Sequence, residues 1–317
     1  MNHVELEATT GSSGISRREL MKVAAGMVAC TVLMPRNSMA QCCQAKSGTV
    51  RDRLWLFAAP RSADYHWTHR RSLMTPTEGA YYLSIPNVIM VQALPKQDEP
   101  ETRPFESPLK QYTFELRPLK RFVWSITGSA GYTTPDYRKE VLDLATTTSN
   151  CVGLYMDDFF FTGKKLKTTG QRAVLSIDEL KQIRQQAITG PKKLDIWVTF
   201  YTMLLDLPLQ DYLKLIDVLT IWTWNSEELK KLESNFRRIE ALGPHLRKTL
   251  GCYFYDYTLR KPLTVADMKY QCEMGLEWLR QGKIEGMVFL DNPAEDQGYE
   301  CVEWARNWIQ KVGEIAV

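Results

Sequence analysis

From residue 50 onward, short apolar runs alternate with longer stretches in which apolar residues recur at helical spacing. The runs predict strands at 54–58, 87–92, 122–127, 152–157, 195–201, 218–224, 250–256 and 286–291. They begin roughly 25 to 45 residues apart, about what a strand–helix–strand unit requires. Most show no alternation of apolar and polar positions, the pattern of strands covered on both faces.

Helix signals fill the intervals. Thr134-Pro135 reads as an N-cap with proline at the first helical position, followed by Val141, Leu142 and Leu144. Ser176 with Glu179, and Asn225 with Glu228, have the spacing of capping boxes. Thr264 opens a segment that Gly282 closes, and Glu300 opens one that Gly313 stops. Between Gln92 and Arg121 the chain is rich in proline, and no convincing helix is predicted there. Eight alternating units predict a single closed (β/α)8 TIM barrel. A doubly wound open sheet also alternates, but it usually carries a glycine-rich first turn, and Trp55-Leu-Phe-Ala-Ala-Pro60 has no glycine.

The first forty residues read as an address. Ser16-Arg17-Arg18-Glu19-Leu20-Met21-Lys22 resembles a twin-arginine translocation signal. The apolar stretch 23–34 that follows is too short to span a bilayer, and Ser38-Met39-Ala40 is a small-x-small cleavage site. The expected organisation is a cleavable signal peptide over 1–40, a short segment over 41–50 and the barrel over 51–317. Gln41 stands where a lipobox wants a small residue, which disfavours a lipid anchor at Cys42 or Cys43. Such a leader implies the Tat export machinery as a partner and a periplasmic or extracellular location in a bacterium.

Hydrophobic content of 44% and charged content of 24% are those of an ordinary globular chain with ample core. A formal net charge of +3 gives no argument for nucleic acid or for a membrane surface as partner. No Cys-x-x-Cys and no zinc spacing occurs among the seven cysteines. Cys151 and Cys252 lie inside strand patterns as small buried hydrophobes, and Cys272 with Cys301 is a candidate pair if their two helices are neighbours. With no phosphate loop, dinucleotide fingerprint or G-x-S-x-G motif, no cofactor or metal is expected.

The candidate chemistry gathers at the predicted C-terminal strand ends, where a barrel of this kind builds its active site. Strand four closes on Tyr155-Met-Asp157-Asp158, and two adjacent carboxylates at the end of a buried run are costly unless they cap, pair or act. Strand five ends Thr199-x-Tyr201, strand six Trp222-x-Trp224-Asn225, strand seven Tyr253-x-Tyr255-Asp256, and strand eight Asp291-Asn292. Pyranose faces stack on Trp and Tyr, sugar hydroxyls bind Asp and Asn, and glycoside cleavage needs two carboxyl groups across the bond. Part of this aromatic content is what β-propensity alone would supply.

Cys151-Val-Gly-Leu-Tyr-Met-Asp-Asp-Phe-Phe160 resembles the fourth-strand signature of glycoside-hydrolase-like TIM barrels, a Gly-hydrophobic-x-hydrophobic-Asp-Asp-aromatic run. The resemblance implies that Tyr155 and Asp157 point into the cup, with Asp158 one step out, and that the substrate is an oligo- or polysaccharide. No Glu ends strand four, six or seven, so a second catalytic carboxylate has to be Asp158, Asp256 or Asp291. The expected catalytic set is therefore Asp157, Asp158, Asp256 and Asp291. The expected substrate contacts are Tyr155, Tyr201, Trp222, Trp224, Asn225, Tyr255 and His66. Two other readings stay open: a sugar-binding barrel without catalysis, and a metal-dependent hydrolase or lyase using His66 and His69 with Asp64 nearby.

Overall fold

A computed structural model of the chain describes residues 48–63, 65–68, 70–93 and 104–317; the leader and the segment 41–47 lie outside them. Eight parallel strands close into a barrel. They are β1 (Leu54–Ala58), β2 (Asn87–Met90), β3 (Arg121–Thr127), β4 (Cys151–Met156), β5 (Asp195–Tyr201), β6 (Val218–Trp222), β7 (Arg247–Tyr253) and, after a small antiparallel hairpin of β8 (Tyr255–Asp256) with β9 (Lys261–Pro262), β10 (Gly286–Leu290). Around the ring the order is β1-β10-β7-β6-β5-β4-β3-β2. The (β/α)8 barrel expected from the alternation is the fold.

Eight strands enclose a space that side chains fill completely. Trp55 and Trp197 meet there at 4.9 Å between ring centroids, and Trp222 packs on Tyr253 at 4.7 Å. Three indoles fit because neighbouring strands contribute no side chain beside them. A Cβ on Gly251 would stand 2.1 Å from Trp222 Cε3, and one on Gly153 would stand 3.0 Å from Trp197 Nε1. A second apolar layer, including Leu54, Trp124, Leu154, Val198, Cys252 and Phe289, lies between the strands and the helices.

The helices are α1 (Tyr65–Thr68), α2 (Pro76–Leu83), α3 (Pro135–Thr147), α4 (Gly163–Thr169), α5 (Ile177–Thr189), α6 (Gln210–Leu213), α7 (Leu232–Leu242), α8 (Val265–Arg280), α9 (Asn292–Glu295) and α10 (Glu300–Val312). Local chemistry sets their starts. Thr134 accepts from Tyr137 N at the head of α3, and Ser176 with Glu179 forms a full capping box on α5. Thr75 with Glu78 makes the same box on α2, a signal the sequence reading passed over. The proline-rich interval before β3 carries a 3-10 segment, Leu109–Phe114, and no α-helix among its described residues. At the foot of the barrel, Val50 N donates to Ile315 O and Val317 N to Gly48 O, so the two ends of the described chain pair.

Three expectations are corrected. The seventh strand runs from Arg247 to Tyr253 and not to residue 256, because the chain leaves the barrel into the β8–β9 hairpin. Asn225 caps a 3-10 segment (Ser226–Lys231) through Glu227 N at 2.9 Å, so no α-helical capping box with Glu228 forms. Helices α8 and α10 are neighbours, yet Cys272 and Cys301 are both free buried thiols.

Candidate active site

The C-terminal strand ends surround a cavity of about 230 Å3. Asp157, Asp158 and Asp291 line it, together with Tyr201, Trp222 and Trp224. Six of the expected site residues thus share one chamber. Phe57, Trp67, Tyr253, Tyr257 and Gln92 also line it and were not named as contacts from the sequence.

Successive strand residues face opposite sides of a sheet, so Asp157 and Asp158 would ordinarily diverge. They do not, because β4 ends at Met156 and Asp158 takes a left-handed conformation with φ 43°. Asp157 N donates to Thr127 O at 2.9 Å, and Thr127 Oγ1 donates to Asp157 O at 2.9 Å, which holds the strand end against β3. The turn then brings the Asp158 carboxylate back to the rim. Its Oδ1 accepts from the Tyr201 hydroxyl at 2.6 Å and its Oδ2 from Ala130 N at 2.8 Å. Burial, with the Asp158 carboxylate alongside, pushes the Tyr201 phenol well above the ordinary tyrosine range, so it remains a donor.

Asp157 is 6% exposed and sits deeper. Its Oδ1 accepts from Thr199 Oγ1 at 2.8 Å, and Thr199 Oγ1 lies 2.8 Å from the Tyr155 hydroxyl. Thr199 has one hydroxyl hydrogen and gives it to Asp157, so Tyr155 is the donor in the second bond. Tyr155 is fully buried beneath the cavity and does not line it. Expected as a substrate contact, it lies instead at the base of a hydrogen-bonded chain, Tyr155 to Thr199 to Asp157. Thr199, noted at the end of strand five, was not among the expected site residues.

Asp291 closes the opposite side of the cavity at 2% exposure, directly after β10. The following Asn292 accepts from Ala59 N at 2.8 Å and donates to Ala59 O at 3.1 Å, tying the exit of β10 to that of β1.

Asp256, Tyr255 and Asn225 are not brought into the chamber. Asp256 Oδ1 accepts from Thr258 N at 2.8 Å and Leu259 N at 2.7 Å, and Oδ2 accepts from Ser226 N at 2.8 Å. Burial raises its pKa, but these bonds from Ser226, Leu259 and Thr258 outweigh burial and hold it below the ordinary carboxylate value. Asp256 is an anchor for two turns. Tyr255 donates to Trp67 O at 3.1 Å and stacks on Tyr299, bracing α1 over the cavity wall. His66 lies in α1, with its side chain outside the described residues, as are Asp64 and His69. Among the described residues no group of three His, Cys, Asp or Glu is placed to hold a metal ion, and no helix is long and apolar enough to cross a membrane.

Glu295, in α9 just behind Asn292, is 3% exposed, and neither carboxylate oxygen has a hydrogen-bond partner. It packs against helix α2, where a Cβ on Gly79 would stand 3.0 Å from both oxygens. Burial, and secondarily Asp296, pushes its pKa well above the ordinary glutamate value.

No family model matches the sequence, and no curated protein matches it. Solved structures do match. One, assigned as an alpha-L-fucosidase from Bacteroides thetaiotaomicron, aligns with a TM-score of 0.51 at 12% identity, over 90% of this chain and 100% of that one. Another, the catalytic domain of a hyperthermophilic chitinase from Pyrococcus furiosus, aligns with a TM-score of 0.50 at 14% identity, over 84% of this chain and 98% of that one. At such identities the likeness is one of fold: both align with this chain as (β/α)8 barrels.

Proposed function

We propose that the protein is an exported glycosidase that hydrolyses an oligo- or polysaccharide. The observation that carries this reading is the presence of Asp157 and Asp291, from opposite sides of the barrel, in one aromatic-walled cavity at its C-terminal mouth. Glycoside hydrolysis takes two carboxyl groups flanking the scissile bond, one to protonate the leaving oxygen and one to attack or to activate water. Asp157 serves as the acid/base or nucleophile and Asp291 as its partner. Asp158 binds sugar hydroxyls or orients water, with Tyr201 holding it. Trp222, Trp224 and Tyr201 form subsite walls, joined by Tyr253 and Tyr257. The twin-arginine leader read from 16–40 carries the folded protein to the periplasm or beyond.

The test is release of reducing ends from a panel of oligosaccharides by the purified protein, with and without a chelator. Hydrolysis that persists with the chelator supports the two-carboxylate reading. Binding without hydrolysis across the panel favours a sugar-binding barrel. Activity that the chelator removes and added metal restores favours a metal-dependent reaction using His66 and His69.

A further inference from the structure

The cavity ends inside the barrel. Beneath it Tyr155 is fully buried, and Trp55 and Trp197 fill the interior at 4.9 Å between ring centroids. Whatever enters comes and leaves by the mouth.

The rim of that mouth is a circuit of contacts that passes every strand. Ala130 N, after β3, donates to Asp158 Oδ2 at 2.8 Å, and Asp158 Oδ1 accepts from Tyr201 on β5 at 2.6 Å. Tyr201 lies 5.2 Å from Trp224, beyond β6, and Trp224 lies 5.6 Å from Tyr257, beyond β7. Tyr257 lies 5.7 Å from Trp67 in α1, and Tyr255 donates to Trp67 O at 3.1 Å. The chain that leaves β7 thus reaches the loop after β1 across the exit of β10, which stands between them in the ring. Main-chain bonds at the strand ends complete the circuit: Val91 N donates to Ala58 O at 2.8 Å, and Ser129 N to Gln92 O at 2.9 Å. Asp157 and Asp291 line the space it encloses.

A polysaccharide bound along its length enters on one side of the catalytic pair and leaves on the other, so it needs two gaps facing one another. The aromatic arc from Tyr201 to Trp67 covers the ends of β5, β6, β7 and β10. Their opposites in the ring are β1, β2, β3 and β4, so the arc closes one member of every facing pair. The enclosed volume, about 230 Å3, is the share of about eight waters, room for one pyranose and not for a second.

We infer that the protein acts on chain ends: the cavity admits one terminal sugar residue, which is released as a monosaccharide. The inference rests on the glycosidase reading above and adds the mode of attack to it. The bond broken joins that terminal residue to the next. Water supplies an oxygen to the anomeric carbon of that bond and a proton to the leaving oxygen. The remainder of the chain stays outside the rim.

The test is the order in which products appear when wild-type protein is given linear hexasaccharides of glucose, N-acetylglucosamine, galactose and mannose, followed by mass spectrometry from the first turnovers. For a hexasaccharide that is cleaved, monosaccharide and pentasaccharide are expected in equal amounts. Di- and trisaccharides should be at least about tenfold rarer, the lower end of what a fitted pocket achieves against a substrate that overfills it. Di-, tri- and tetrasaccharides formed together from the outset overturn the terminal mode and leave the glycosidase reading standing. No product from any of the four overturns both.

Discussion

Asp157 and Asp291 follow strands β4 and β10, which stand four places apart in either direction around the closed ring. Both residues therefore reach the mouth from opposite sides of the ring and line one cavity, whose lining also includes Trp222, Trp224, Tyr253 and Tyr257. A parallel barrel makes this possible because every strand delivers its C-terminal residue to the same end. Two residues separated by more than a hundred positions in the chain become the two walls of one chamber.

The chain of hydroxyls under Asp157 is expected to position it. Thr199→Val keeps the side-chain shape, removes the 2.8 Å bond to Asp157 and takes one partner from Tyr155. Turnover should fall roughly ten- to a hundred-fold, the range for a misplaced catalytic group. Losing a donor makes a carboxylate easier to protonate, so the acidic limb of the pH–rate profile should move to higher pH. A fall in stability with an unmoved pH profile would mean that Thr199 is only part of the core.

Asp256 is expected to matter for stability and not for chemistry. Its carboxylate accepts three backbone N–H groups, and hydrogen bonds to charged groups are worth about 1.5–3 kcal/mol each in net terms. Asp256→Ala should lower unfolding stability by several kcal/mol while the surviving folded protein keeps its kcat. The folded pKa is depressed, so the contribution is complete above the ordinary carboxylate value. It fades as pH falls through the lowered folded value. Denaturant titrations of wild type and variant at pH 7 and in acid read this directly.

Asp157 and Asp256 show what the sequence made legible and what it did not. Both close a strand run predicted from the sequence, 152–157 and 250–256, and both are preceded by tyrosine, Tyr155 in one and Tyr253 and Tyr255 in the other. They differ in where the strand stops. β4 runs to Met156, so Asp157 emerges at the mouth, whereas β7 stops at Tyr253 and the next residues fold into a hairpin whose amides claim Asp256. Strand periodicity tells the face of a residue, not the layer at which the barrel ends, and for the same reason Tyr155 lies beneath the cavity and does not line it. Asn225 was legible as a cap, and the cap is its role here. The eight units, and the N-cap of α3 and the capping box of α5 that mark them, were legible because they depend on local chemistry.

Glu295 predicts a pH dependence of the opposite sign. Its folded pKa is raised, so the folded chain keeps a proton that the unfolded chain releases. Stability is then highest below the ordinary glutamate value and declines as pH rises toward the raised folded one. Glu295→Gln keeps the shape without the ionisation. The variant should gain on wild type with rising pH, by about 1.4 kcal/mol for each unit over that window. A difference between the two proteins that is constant with pH would contradict the raised pKa.

Export is tested in the leader. Arg17→Lys combined with Arg18→Lys should leave the precursor in the cytoplasm, as seen by fractionation and by the absence of cleavage after Ala40. A double variant that is still exported and cleaved would mean that the leader is not a twin-arginine signal.

The central claim is that Asp157 carries the chemistry, and the most direct measurement is the turnover of Asp157→Asn on an oligosaccharide that the wild type cleaves. Asparagine keeps the shape and still accepts from Thr199, so the variant should fold and bind sugar as the wild type does. Its turnover should fall by at least about 10²-fold, the lower range for loss of an acid/base group. Full activity in Asp157→Asn would contradict the account.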